Sequence, residues 1–215
     1  MTSCTIGQMS VPDRLAAARL LLSLAPPPWH LRHSRAVAEV GGWLAARIAR
    51  NGIPVDRALV ESAALLHDVD KAIPRDDPAR AHPHGEAGAD WLTRHGHSEL
   101  ARAVANHPVT RLADEERYRR WSAFATREER IVAYADKRAG QRLVPMADRF
   151  AEWRRRYPAL EDGGTSWDRA TIARVWARAQ RLEQDVCRAA GVRPDEVVRL
   201  RWTSDAFAHA RTTPR

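Results

Sequence analysis

Nine histidines punctuate this 215-residue chain, and several of them fall on the apolar stripe of an expected helix. Helical neighbours at i, i+3, i+4 and i+7 share a face. His33 lines up with Val37, Val40 and Leu44, and His67 with Val60 and Ala64. His84 leads into Ala87 and Trp91, His107 follows Leu100 and Val104, and Asp136 follows Val132 and Ala135. Burying such a group is costly unless it is hydrogen-bonded or bound to a metal. A single buried histidine is ordinarily a hydrogen-bonded core residue. Five stripes that meet in one core would instead bring their polar groups together. Asp68, beside His67, joins them, so the expected convergent set is His33, His67, Asp68, His84, His107 and Asp136.

Imidazoles and carboxylates without thiolate suit zinc, manganese, iron or another divalent first-row ion. Six ligands exceed what one catalytic ion needs, because positions must stay open for water and substrate. They suffice for two ions if Asp68 bridges, and two neighbouring cations suit a phosphoryl displacement by water of lowered pKa. The only lysines, Lys71 and Lys137, fit the same chemistry: Lys71 lies one helical turn after His67, and Lys137 directly follows Asp136. Each is a candidate point charge for a phosphate oxygen. The plain alternative is a pair of surface cations.

The elements that must position these groups read as helices, with no run of alternating β-branched residues. Ser10-Val11-Pro12-Asp13 opens a first helix that Pro26-Pro27-Pro28 ends. Further helices are expected over about 31–49, from Pro54 to Asp68, over 86–94, from Ser98 to Asn106-His107-Pro108, and from the capping box at Thr126 to Arg138. A helix over 147–156 stops before Pro158, Gly163-Gly164 breaks the chain, and a long helix runs from Ser166 to Ala190 with Gly191 past its end. A short helix over 195–200 follows, and His209 sits in a polar tail. His30 is expected just ahead of its helix, and His82, His95 and His97 in loops; these are not taken as ligands. Trp43, Trp91, Trp121 and Trp153 read as packing groups, with Trp121 also placed to line a substrate pocket.

Hydrophobic residues make up 44% and charged residues 29%, which excludes a disordered chain. The net charge of +8 is spread as arginine through helices that also carry Asp and Glu. It forms no basic tail, so no specific nucleic-acid partner is expected, and Arg154 to Arg156 reads as a solvated helix face. Cys4 and Cys187 make neither a metal spacing nor a disulfide framework, which fits a reducing, cytoplasmic setting. No apolar stretch approaches a membrane span, and Arg19 interrupts the segment from Leu15 to Ala25 that most resembles a leader.

The ordered series His33-Ser34-Arg35-Ala36-Val37-Ala38, Leu65-Leu66-His67-Asp68-Val69-Asp70-Lys71, His84-Gly85, Asn106-His107 and Ala135-Asp136-Lys137-Arg138 resembles the HD superfamily of phosphohydrolases. The resemblance implies an all-α HD-domain helical bundle over residues 1–157, with core motifs at 31–142. A C-terminal helical extension, 158–215, would pack on the same domain. It implies catalysis through Asp68 and Lys71, and a metal site of two ions. Iron or manganese comes first; zinc, cobalt, nickel and magnesium are compatible. Within the superfamily the chain is similar to the bacterial enzymes that split diadenosine tetraphosphate symmetrically. That likeness implies Arg142, with Lys71 and Lys137, as phosphate-binding residues. The chain departs from those enzymes at Arg138-Ala139-Gly140-Gln141 and in an insertion over 109–127. It also lacks the Gly-Tyr-Pro motif of the cyclic-dinucleotide phosphodiesterase branch. The expected activity is a metal-dependent phosphohydrolase acting on a small anionic nucleotide or dinucleoside polyphosphate. The alternatives are a nucleotide-binding HD module without turnover, or a phosphodiesterase or 5′-nucleotidase of the same superfamily. The helix from Trp167 to Ala190 packs on the core or forms a homodimer contact.

Overall fold

Apolar residues at helical spacing produce helices along the chain, and no strand occurs among the described residues. The computed structural model describes residues 11–156 and 167–212. Cys4, the expected Ser10 and Ser166 helix starts, Pro158 and the Gly163-Gly164 break lie outside the described residues. The helices are α1 (Arg14–Ser23), α2 (Pro28–Arg50), α3 (Arg57–Leu66), α4 (Glu86–Arg94), α5 (Ala101–Asn106), α6 (Glu115–Phe124), α7 (Arg127–Arg138), α8 (Met146–Arg156), α9 (Arg169–Ala190) and α10 (Trp202–Thr212). None of them is long and apolar enough to cross a membrane.

Local chemistry sets the boundaries. Asp56 accepts from the Leu59 N–H and so starts α3 at Arg57, later than Pro54 suggests. Thr126 and Glu129 close the expected capping box of α7. Gly191 ends α9 in the left-handed region at φ +64°. Proline suits a first helical turn, so α2 begins at Pro28 rather than near Leu31. His30 therefore lies inside α2 and is fully buried, not ahead of the helix. The insertion folds as a 3₁₀ turn, Val109–Leu112, followed by α6.

The C-terminal segment differs most from expectation. Only a 3₁₀ turn, Pro194–Glu196, forms near the short helix expected over 195–200. The supposed polar tail is α10, which buries Trp202, Thr203 and Phe207 on one face and packs on α1 and α2. Buried Glu39 on α2 fastens this segment. It accepts from Arg199 Nη2 at 2.7 Å and from the Thr203 hydroxyl, and its backbone carbonyl takes the Leu200 N–H at 3.1 Å. Glu39→Ala leaves Arg199 and the Thr203 hydroxyl without their acceptor and is expected to cost about 2 kcal/mol of stability. Urea denaturation checks this, and an unchanged midpoint contradicts it.

α2 runs through the middle, packed on α3 and α7, while α5 and α9 also pack on α7. Val37, Val40, Leu44, Leu65, Ile131 and Val132 are fully buried there. At Gly41 an added Cβ would lie 3.3 Å from Val60 Cγ1 and 3.5 Å from the Ala64 Cβ, so this glycine permits α2 and α3 to approach closely. That approach brings His33, one helix turn and a half up α2, toward His67 at the end of α3.

Candidate metal centre

The side chains of the expected set meet where several helices end. His33 comes from within α2; His67 caps the C-terminus of α3, with Asp68 just beyond; His107 caps α5; His84 precedes α4; Asp136 lies in the last turn of α7. The imidazoles form a continuous arc, with ring centroids 4.9 Å apart for His33 and His67, 4.7 Å for His67 and His107, and 4.9 Å for His84 and His107. Asp68 sits inside the arc. Its Oδ2 lies 3.4 Å from His33 Nε2 and 3.5 Å from His67 Nε2, while its Oδ1 lies 3.4 Å from His84 Nε2 and 3.5 Å from His107 Nε2. Asp136 Oδ1 closes one side, 3.4 Å from His33 Nε2 and 3.7 Å from His67 Nε2.

Backbone carbonyls fix the ring orientations. The Nδ1–H of His33 donates to Gly140 O at 2.8 Å, that of His67 to Ala64 O at 2.8 Å, and that of His107 to Val104 O at 2.6 Å. His84 Nδ1–H donates instead to Asp70 Oδ2 at 2.7 Å. With Nδ1 carrying the proton, each Nε2 turns a lone pair inward. His33 and His67 then bring Nε2 atoms within 3.0 Å of each other. Two lone pairs at that separation, beside buried Asp68 and half-buried Asp136, require a positive charge between them. A divalent cation satisfies this donor set, and the groupings His33–His67–Asp136 and His67–Asp68–His107 each have ligand atoms within 4.8 Å of one another.

The titration behaviour says the same. Burial opposes a charge on His33, yet its hydrogen bonds to Asp136 and Asp68 raise its pKa to about 10. A proton on Nε2 thus takes the place a cation would occupy. Burial holds His67 and His107 below their ordinary values, leaving them neutral ligands. Burial also opposes ionisation of Asp68 and Asp136, but their histidine partners hold both carboxyls well below the usual range.

A family model, the HD domain, matches residues 31–140. The chain belongs to the HD domain family. HD domains are typically metal-dependent hydrolases. No curated protein and no solved structure matches the chain. The HD domain match contains all six clustered residues and ends at Gly140, whose carbonyl holds His33, while α8, α9 and α10 lie outside it.

The expected cations of this HD domain sit in different settings. Lys71 Nζ donates to Asp68 Oδ2 at 2.6 Å, with its side chain 39% exposed at the mouth of the cluster. Burial opposes its charge, but Asp68 outweighs burial and raises the pKa, so Lys71 stays charged. Lys137 is buried, and Nζ donates to His107 O at 2.8 Å and Ala133 O at 3.0 Å. Burial lowers its pKa to about 8. Arg142 is exposed on the turn that the Ala139–Leu143 bridge closes, in a groove with Gln141, Asp148 and Glu152.

The site also uses residues that spacing alone did not single out. Asp70 orients His84; the only sign of it in the sequence is a second aspartate two residues past Asp68. Gly85 adopts φ +84°, and a Cβ there would lie 2.7 Å from Pro108 Cγ. It therefore lets the start of α4, with His84, pass close to the end of α5, with His107. Gly85→Ala is expected to destabilise the fold by about 2 kcal/mol and to weaken cation binding. Thermal melts with and without manganese check this, and a variant that melts and binds like wild type contradicts it.

Proposed function

We propose that this chain is a two-cation phosphohydrolase that cuts a phosphate ester or anhydride of a nucleotide or dinucleoside polyphosphate. The observation that carries the reading is the division of Asp68, whose Oδ2 faces His33 and His67 while its Oδ1 faces His84 and His107. His33, His67 and Asp136 would hold one ion, His84 and His107 the other, and Asp68 both. Iron or manganese are the ions proposed. Bound there, two such ions supply Lewis acidity and a water of lowered pKa.

The chain's own groups do the rest. Lys71 keeps one N–H on Asp68 and turns another toward a non-bridging phosphate oxygen, where its charge offsets what develops in the displacement. Asp70 keeps the Nδ1 proton of His84 in place, and Lys137 fixes the end of α5 that carries His107. Arg142, from the exposed turn, would meet a more distant phosphate. Nucleotide as substrate is supported by the likeness of His84-Gly85 and Ala135-Asp136-Lys137 to the diadenosine tetraphosphate hydrolases.

The test strips the protein with a chelator, reloads it with manganese or ferrous iron, and follows phosphate release across mono-, di- and dinucleoside polyphosphates. Release that returns only with the cation is expected. Silence across the whole panel with every cation contradicts the reading.

A further inference from the structure

Beyond Asp136 the cluster borders a part of the chain that the HD domain match does not reach. There α8 and α9 leave a cleft of about 290 Å³ walled by Phe150, Trp153, Trp167 and Trp176. A smaller cavity of about 50 Å³ adjoins it, lined by Asp136, Lys137 and Arg149 and by the same Phe150 and Trp153. The two spaces share these two aromatic walls, which sets the larger one beside the cavity that Asp136 lines.

The walls have a particular chemistry. Phe150 meets Trp176 with centroids 5.0 Å apart and planes at 72°, and Trp153 meets Trp167 at 4.7 Å and 52°. Angled pairs are the arrangement that aromatic rings favour. Trp153, Trp167 and Trp176 all remain partly exposed, unlike buried Trp91 and Trp121 in the body of the domain. Ligand pockets generally span about 300–1,000 Å³, so this one has room for a single flat ring system and not for a whole nucleotide. Arg149 stands at the junction with the cluster, where a phosphate attached to that ring system would pass.

We infer that this cleft takes the nucleobase of the substrate, with the sugar and phosphate extending past Arg149 toward Asp136. The inference rests on the phosphoryl site proposed above and adds the specificity-determining residues: Trp153, Trp167 and Trp176 select substrates that carry an aromatic base. Stacking on aromatic side chains accepts every base, so the selection is for nucleotides over base-free phosphoesters.

Calorimetric titration of the full manganese-loaded chain tests this with two probes that separate the halves of a nucleotide. Adenosine has the base and no phosphate to lose; ribose 5-phosphate has the phosphate and no base. Trp153→Ala is expected to weaken adenosine about tenfold or more, from the loss of one stacking face, and to leave ribose 5-phosphate within about twofold. Ala147→Trp is the companion variant. Ala147 is exposed on α8 and lines the cleft, so a tryptophan there fills the space without disturbing the core, and adenosine binding should vanish. Adenosine that does not bind wild type, or that binds all three proteins alike, overturns the inference. Equal weakening of both probes overturns it too. The outcomes separate from those of the phosphohydrolase reading. Hydrolysis without adenosine discrimination removes the base cleft alone, whereas the expected adenosine pattern without hydrolysis of any phosphoester removes the reaction alone.

Discussion

Asp68→Ala is expected to cut phosphate release from the cation-loaded protein by about 10³-fold or more and to remove both cations from it. The Lewis acidity of bound metal is worth several kcal/mol, and each 1.36 kcal/mol is about tenfold in rate. Both carboxylate oxygens of Asp68 face imidazole pairs, so its loss strips a ligand from each half of the cluster at once. It also frees Lys71, whose Nζ rests on Asp68 Oδ2 at 2.6 Å. The fold should survive, because its apolar contacts lie mainly in α2, α3 and α7. Asp70→Ala supplies the contrast. It removes only the carboxylate that orients His84, and losses of such a supporting partner run to about 10–100-fold in affinity or activity. Elemental analysis and rates on the two variants check this grading. Asp68→Ala protein that keeps two ions, or an Asp70→Ala variant that is equally inert, contradicts the bridging role.

The second large effect is a pH dependence of opposite sign in the stability of the stripped protein and in its affinity for cations. Without cations, folding raises the pKa of His33 from 6.5 to about 10. The stability this contributes is complete below pH 6.5 and is lost as pH rises through about 10. Stripped protein should therefore melt at progressively lower temperature from pH 7 to pH 8, above which Lys137, whose pKa burial lowers to about 8, offsets the loss. A cation must displace the His33 proton, so apparent affinity should rise about tenfold per pH unit over the same range, or about 1.4 kcal/mol each. The gap in melting temperature between loaded and stripped protein should widen with pH. At low pH His67 and His107, which burial keeps neutral in the fold, take up protons on unfolding, so stability falls below about pH 6.5. Paired melts at pH 7, 8 and 9 decide the matter, and a gap that stays constant or narrows excludes His33 as a ligand.

Much of the site was legible because its groups interrupt a regular pattern. Three histidines and an aspartate on apolar stripes at helical spacing point inward, and the doublet His67-Asp68 carries its own carboxylate; His84, exposed ahead of α4, is instead oriented by Asp70. The helix boundaries of α4 and α7 follow from caps that act locally, within a turn or two. What spacing could not reveal depends on contacts between distant segments. The acceptor for His33 is a backbone carbonyl at Gly140, which no residue type announces. Lys137 reads as a phosphate ligand beside Asp136, yet its Nζ is spent on two backbone carbonyls. The segment from Trp202 to Thr212 is polar in composition and becomes a helix because Glu39, far away on α2, holds its start. The aromatic cleft joins Trp153 to Trp167 and Trp176 across a helix pair whose approach leaves no mark in either helix alone.

Anomalous diffraction from crystals of the full chain loaded with manganese or iron is the most direct measurement. Two peaks are predicted, one against His33, His67 and Asp136 and the other against His84 and His107, with Asp68 between them. A single peak, or metal bound away from Asp68, contradicts the account.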